Sequence, residues 1–199
     1  MSDCSGNEYN LNFVNNSFLP FVNDSSRNRY CIEIANGATN YLSCNSAFFP
    51  YDAVTINCWF KTSSSIAGAG NYHIPFASAN GHYEISIEGT SGKLRGGFYI
   101  NGVRQCITTS GDNICDGQWH MLTLTYDGTV IRRYLDGQEI TGSSTTITGI
   151  LSGGNKLLTI GHYGTDSTYG NKNSFMSDVR LYATALTGEE IEQLYNSAA

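Results

Sequence analysis

The stretch Cys115–Gly137, CDGQWHMLTLTYDGTVIRRYLDG, reads as a β-hairpin with its punctuation in place. Asp116-Gly117 opens it, Asp127-Gly128 turns it and Asp136-Gly137 closes it. Between these pairs, His120, Leu122, Leu124 and Tyr126 alternate with Met121, Thr123 and Thr125, and Val130, Arg132 and Tyr134 alternate with Ile131, Arg133 and Leu135. Asp-Gly between alternating runs marks a hairpin because glycine supplies the positive φ a tight turn demands. One face of each strand is mostly apolar, so a second layer must cover it. The hairpin carries no obvious catalytic group. It points to architecture rather than activity, so Asp127 and Asp136 are assigned to turn geometry and Trp119 to packing.

Outward from the hairpin, the composition has the same character. The 199 residues suit one domain with a substantial core. There are 22 Gly but only 3 Pro, with many Ser, Thr, Asn and Tyr, as expected for short strands joined by polar turns. Eleven basic against 17 acidic residues give a net charge of −6. Arg132-Arg133 is an isolated pair on opposite strand faces, so the clustered cations that nucleic acid requires are missing. No run approaches the roughly 20 apolar residues of a membrane span, so membrane insertion is not expected. The N-terminus, MSDCSGNEYNLNFVNNSFLPFV, lacks a basic head and an unbroken apolar core, and no signal peptide is expected in this chain.

Cys31 and Cys44 are symmetric about Gly37-Ala38, and Cys106 and Cys115 about Ser110-Gly111, so each pair could face across a hairpin. Free thiols are the favoured reading, because cross-strand bridges need geometry many hairpin sites lack. Cys58, in phase with Val54, Ile56 and Phe60, reads as a buried small apolar residue. No CxxC occurs and Cys/His spacing is irregular, which argues against zinc.

Residues 1–29 read as a polar, Asn-rich arm packed on or flanking a sandwich formed by residues 30–199. Strands are expected at Tyr30–Ala35, Tyr41–Cys44, Val54–Lys61, His73–Ala77, His82–Glu88, Lys93–Ile100, Gln105–Thr109, the two arms of the hairpin, Lys156–His162 and Phe175–Tyr182. Near the end, Thr187 followed by Glu190 forms a capping box, in which each side chain satisfies a backbone N–H at a helix start. Ile191 and Leu194 then share one face. The expected class is all-β, two antiparallel sheets with one short C-terminal helix.

Several segments resemble a known family. Val54–Lys61 (VTINCWFK), Asp116–His120 (DGQWH), Tyr134–Gly137 (YLDG), Leu158–Gly161 (LTIG), Ser177–Tyr182 (SDVRLY) and Ala185–Ile191 (ALTGEEI) resemble, in order, the motifs of laminin G-like domains in the concanavalin A-like lectin/glucanase superfamily. The resemblance implies a jelly-roll sandwich. It does not fix function, since members include lectin modules, adhesion domains, enzyme appendages and virion proteins. It also raises calcium, which several relatives hold at one sandwich edge with Asp side chains and carbonyl oxygens. Here the first turn is Asn36-Gly37-Ala38-Thr39-Asn40-Tyr41, with amides where relatives have acids, and Asp178 matches the family's final Asp. Asn36, Asn40 and Asp178 are the candidate Ca²⁺ ligands. Each lost charge weakens a hard-cation site, so a plain Asn-Gly turn is the favoured reading.

The superfamily's glucanases use paired carboxylates on one strand. The comparable pair is Glu84 and Glu88, on one face opposite Tyr83, Ile85 and Ile87. Four strand residues separate them by roughly 14 Å, against about 5–5.5 or about 6.5–9.5 Å for glycoside hydrolysis. They are expected to be solvated strand-face acids. His73, His82, His120 and His162 are scattered, and no GxSxG, HExxH or phosphate loop occurs. No enzymatic activity is expected.

Sugars are held by an aromatic face beside amides and hydroxyls. Two regions have that character: Gly161–Asn173, with Tyr163, Asp166, Tyr169, Asn171 and Asn173, and the segments around Tyr72, His73 and His82. The reading is a non-catalytic recognition or adhesion module for a glycan or cell-surface ligand, acting extracellularly through end and edge loops. The alternative is a virion structural protein, a phage head decoration or tail-fibre component, at the virion surface among other virion proteins. A glycoside hydrolase ranks third.

Overall fold

The computed structural model of the chain describes residues 12–13, 21–24, 29–34, 41–45, 52–63, 72–78, 83–152, 157–161 and 173–198. In chain order the strands are β1 (Asn12–Phe13), β2 (Phe21–Asp24), β3 (Arg29–Ile34), β4 (Leu42–Asn45), β5 (Val54–Thr62), β6 (Tyr72–Ser78), β7 (Tyr83–Glu88), β8 (Leu94–Ile100), β9 (Val103–Thr108), β10 (Trp119–Tyr126), β11 (Val130–Leu135), β12 (Gln138–Glu139), β13 (Thr145–Thr146), β14 (Leu157–Ile160) and β15 (Ser174–Tyr182). A single described helix, α1, spans Gly188–Ala198. The first sheet runs β1-β4-β14-β6-β7-β8-β9, and the second β12-β11-β10-β5-β15-β3-β2, with β13 also paired to β11. All pairings are antiparallel, giving the expected jelly-roll sandwich. The N-terminal strands join it, β1 to β4 and β2 to β3.

The hairpin is the middle of the second sheet. β10 pairs with β11 from Leu122↔Leu135 to Tyr126↔Ile131, and with β5 from Trp119↔Lys61 to Tyr126↔Val54. Its turn centres on Gly128-Thr129, one residue later than the Asp-Gly pair suggests, with Gly128 at φ +91°. Asp127 shapes this turn from outside: Oδ1 accepts the Thr129 and Val130 N–H groups at 2.9 and 2.8 Å, and Oδ2 takes Arg132 Nη1 at 2.6 Å. Asp136 and Gly137, at φ +51° and +83°, form the two-residue link between β11 and β12. Paired positive φ values are those of a type I′ turn, whose twist matches the flanking strands.

Between the sheets lie Ile56, Cys58 and Phe60 of β5, Ile85 and Ile87 of β7, Leu94 and Phe98 of β8, and Leu122, Leu124 and Tyr126 of β10, all buried. The period of two along each strand delivers them to one face. A second apolar cluster sits on the outer face of the second sheet, where Trp59, Met121 and Tyr134 receive Ile191 of α1. Trp59 also stacks on Tyr195, ring centroids 5.5 Å apart and 16° from parallel. The capping box forms as read from the sequence: the Thr187 N–H donates to Glu190 Oε2 at 2.8 Å, and the Glu190 N–H donates to Thr187 Oγ1 at 3.2 Å.

Cys58, Cys106 and Cys115 are free thiols, and Cys31 is buried with Sγ 3.5 Å from the Val22 carbonyl. Burial pushes the Cys58 thiol far up, and Cys106 up to about 12 with Glu84 adding to the effect of burial. The Cys44 side chain lies outside the described residues.

Candidate functional site

The topology sorts the expected ligand residues by position. Tyr72 and His73 are at the start of β6, where their backbones pair with Glu88 and Ile87, so they belong to a strand end rather than to a loop tip. Ile160 of β14 pairs with Phe76 of β6, so β14 runs out toward this same end of the first sheet. Asn173 immediately precedes β15, with φ +44°, and its carbonyl accepts the Thr62 hydroxyl at 3.0 Å. The next residue, Ser174, pairs with Thr62, the last residue of β5. Gly161 packs close enough to Ile34 that a Cβ there would meet Ile34 Cδ1 at 2.4 Å, and Ser174 pairs with Ile34. One end of the sandwich thus gathers Tyr72, His73, Gly161 and Asn173. Ser78 and Tyr83 close β6 and β7 at the opposite end. His82, Tyr163, Asp166, Tyr169 and Asn171 lie outside the described residues.

Of the expected calcium ligands, Asn36 and Asn40 also lie outside the described residues. Asp178 sits where the β15–β5 register shifts between Ser177 and Arg180, with φ +48°, and its Oδ1 lies 3.8 Å from Arg180 Nη2. Among the described residues, no three His, Cys, Asp or Glu side chains converge on a metal position.

Glu84 corrects an expectation. It lies on the outer face of β7, as the alternation requires, yet it is only 5 % exposed. Its Oε1 takes Arg95 Nη1 at 2.6 Å and the Ser86 hydroxyl at 2.6 Å, and its Oε2 pairs with Arg104 Nη2. The register explains this convergence: Glu84 faces Gly97, Ser86 faces Arg95, and Arg104 faces Tyr99. The sequence reading missed the two arginines because their partner is 11 and 20 residues away and only strand register joins them. Glu88 is different. It accepts the N–H groups of Thr90 and Ser91 at 3.3 and 2.7 Å, and the Ser91 hydrogen bond, outweighing slight burial, lowers its pKa. One acid is sealed by guanidinium groups and the other ties a turn.

On the outer face of the second sheet, near the end that holds Asn173, Asp24 of β2 accepts Lys61 Nζ at 2.8 Å and Trp119 Nε1 at 3.0 Å on one oxygen. The Lys61 ammonium lies 5.8 Å from the Trp119 ring centroid and 5.7 Å from that of Phe175. Trp119 therefore has a polar role beside its packing against the helix cluster. Cation–π contact and a charge-assisted hydrogen bond hold β2 to the sheet centre.

The sequence profile of the concanavalin A-like lectin/glucanases superfamily, in its laminin G-like branch, matches residues 36–192. The chain belongs to this family. No curated protein matches this laminin G-like chain in sequence. Among solved structures, the binding domain of Paraclostridial Mosquitocidal Protein 1 is similar at TM-score 0.77 and 20% identity, over 98% of this chain and 49% of that one. The binding domain of botulinum neurotoxin DC in complex with SialylT is similar at TM-score 0.73 and 17% identity, over 100% of this chain and 48% of that one. The same neurotoxin's binding domain in complex with rat synaptotagmin II gives TM-score 0.74 and 16% identity, over 100% and 49%. At these identities the likeness is one of fold, and the laminin G-like chain spans about half the length of the structures it matches.

Proposed function

We propose that this domain is a non-catalytic recognition module for a carbohydrate on an extracellular or cell-surface ligand. Its binding surface is the sandwich end that gathers Tyr72, His73, Gly161 and Asn173, and the ligand contacts proposed with it are Tyr163, Asp166, Tyr169 and Asn171, which lie between Gly161 and Asn173 in sequence. The observation that carries the reading is Glu84. The acid best placed to resemble a glucanase carboxylate is buried, with one oxygen on Arg95 and the other on Arg104, an arrangement that supports a structural role for it. Support comes also from the neighbours, one of them in complex with SialylT and another a botulinum neurotoxin type C structure titled for interaction with two ganglioside molecules. The virion reading draws no support from these toxin binding domains. Asn36, Asn40 and Asp178 remain the proposed Ca²⁺ donors.

A glycan array probed with the labelled chain, with and without Ca²⁺, tests this. Saturable binding that is lost in Tyr163→Ala and Tyr169→Ala supports the proposal. Absence of binding to any glycan under both conditions overturns the carbohydrate assignment. Dependence on Ca²⁺ that Asp178→Ala abolishes would support the metal.

A further inference from the structure

β9 ends the first sheet, paired with β8 on one side and, among the described residues, with no strand on the other. Its register against β8 runs unbroken from Arg95↔Thr108 to Ile100↔Val103, with no bulge and no proline. One step further along, the Thr109 N–H donates to the Leu94 carbonyl at 2.8 Å, and that bond fixes the alternation. Val103, Gln105 and Ile107 turn their backbone groups toward β8. Arg104, Cys106 and Thr108 turn theirs the other way, toward the edge.

The side chains of this edge are unusual for a last strand. Val103 is 57 % exposed and Ile107 38 %, whereas Ile100 and Phe98, which face Val103 and Gln105 on the same side of the sheet, are fully buried. The apolar face of the sheet therefore continues past the core into solvent. Edge strands are ordinarily protected by an outward charge, a proline or a bulge. β9 carries a single charged residue, Arg104, and Glu84 draws its guanidinium over the outer face of the sheet. Val103 and Ile107 lie symmetrically about Gln105.

We propose that β9 pairs antiparallel with β9 of a second copy of this chain, about a two-fold axis at Gln105, joining the two first sheets into one. Backbone alternation and side-chain pattern together select the axis. Outward-turned groups must face outward-turned groups, so the axis passes through a residue and not between two. An axis at Gln105 sets Val103 of each copy against Ile107 of the other, and the two Gln105 amides against each other. These are pairs of the non-hydrogen-bonded kind, in which side chains lie closest, while Arg104 and Cys106 supply the hydrogen-bonded rungs. Moving the axis to Arg104 would set two arginines opposite each other and Val103 against Gln105. Moving it to Cys106 would set Ile107 against Gln105 and Val103 against Thr109. Only the Gln105 axis gives both exposed apolar side chains apolar partners. The pattern of β9 is its own complement, which favours a second copy over an unrelated strand.

The test uses the intact chain. Analytical ultracentrifugation over a concentration series is expected to show reversible monomer–dimer exchange. Val103→Lys and Ile107→Lys should each weaken the dimer about tenfold, because the two-fold axis makes one substitution disrupt two cross-strand pairs. Both positions are exposed, so the variants should keep the parent Tm. Gln105→Cys sets two thiols opposite each other on the axis, within the Cα separation a disulfide needs, and should give a covalent dimer on mild oxidation. Thr108→Cys, whose two copies lie far apart in this register, should crosslink no more than the parent. A monomer at every concentration, a dimer that both lysine variants leave intact, or crosslinking through Thr108→Cys in place of Gln105→Cys overturns the proposal.

Discussion

His120 and Asp136 face each other across the open end of the β10–β11 hairpin, imidazole Nδ1 to carboxylate Oδ2 at 2.7 Å. The other oxygen of Asp136 accepts the Met121 N–H at 2.7 Å, and the other nitrogen of His120 lies 3.2 Å from Asp116 Oδ1. One ring thus ties together the Asp-Gly pairs that open and close the hairpin. Asp136 is a turn residue, as the sequence suggests, and also an anchor.

This arrangement makes stability depend on pH. Burial disfavours the imidazolium, but the hydrogen bonds and charges of Asp136 and Asp116 outweigh it and raise the His120 pKa above 6.5. A raised folded-state pKa contributes stability that is fully present below the unfolded value and is lost as pH rises through the folded one. Tm should therefore fall as pH climbs from about 6 to about 8, by an amount equivalent to at most about 1 kcal/mol because Asp116 is exposed. His120→Asn should flatten that slope. An unchanged slope in the variant would exclude His120 as its source.

Local chemistry made much of the fold legible. Asp136-Gly137 and Asn101-Gly102 each adopt the paired positive φ their residue types favour, and the Thr187–Glu190 box is written within four residues. Alternation placed Glu84 on the correct face of β7 but could not reveal its burial, because Arg95 and Arg104 reach it only through the β7–β8–β9 register. Asp24 and Trp119 likewise meet across 95 residues of sequence. For the candidate site, the strand expected from His73 begins one residue earlier, and pairing with Glu88 and Ile87 puts Tyr72 and His73 at a strand start rather than in the adjoining loop.

Helix α1 should be held mainly by one side chain. Ile191 is fully buried against Trp59, Met121 and Tyr134. Ile191→Ala should cost about 2–5 kcal/mol through lost burial and a residual cavity, and Thr187→Ala about 1 kcal/mol through the lost cap. Urea unfolding followed by tryptophan fluorescence would rank them. A Thr187→Ala cost exceeding that of Ile191→Ala would contradict packing as the main anchor.

Gly137 couples the type I′ turn to the same helix. Its φ is +83°, and a Cβ there would stand 3.1 Å from the Tyr195 Cβ. Gly137→Ala should cost about 1–2 kcal/mol from the left-handed backbone alone, and should also displace Tyr195 from Trp59. A shifted tryptophan emission maximum in the folded variant would report that displacement. Unchanged emission with full stability would mean the turn and the helix are independent.

Glu84 and Glu88 give the sharpest contrast, because a hydrolase reading and a structural reading of the pair predict opposite behaviour. If Glu84 balances Arg95 and Arg104, Glu84→Gln leaves two guanidinium groups facing a neutral amide in a largely buried site. Breaking such a buried pair typically costs about 3–5 kcal/mol. Glu88→Gln keeps one of the two oxygens that accept the Thr90 and Ser91 N–H groups, and should cost about 1 kcal/mol, the net worth of one hydrogen bond at a turn open to water. A double variant, Glu84→Gln with Arg104→Gln, should recover part of the loss, because it removes a charge that has lost its Glu84 partner in the single variant. Catalytic acids behave otherwise: their removal abolishes turnover while often leaving stability unchanged or improved, since active-site arrangements are commonly strained. Equilibrium unfolding of the three variants therefore separates the readings without knowledge of a substrate. A Glu84→Gln protein as stable as the parent would count against the structural role and reopen the search for a reaction at that strand.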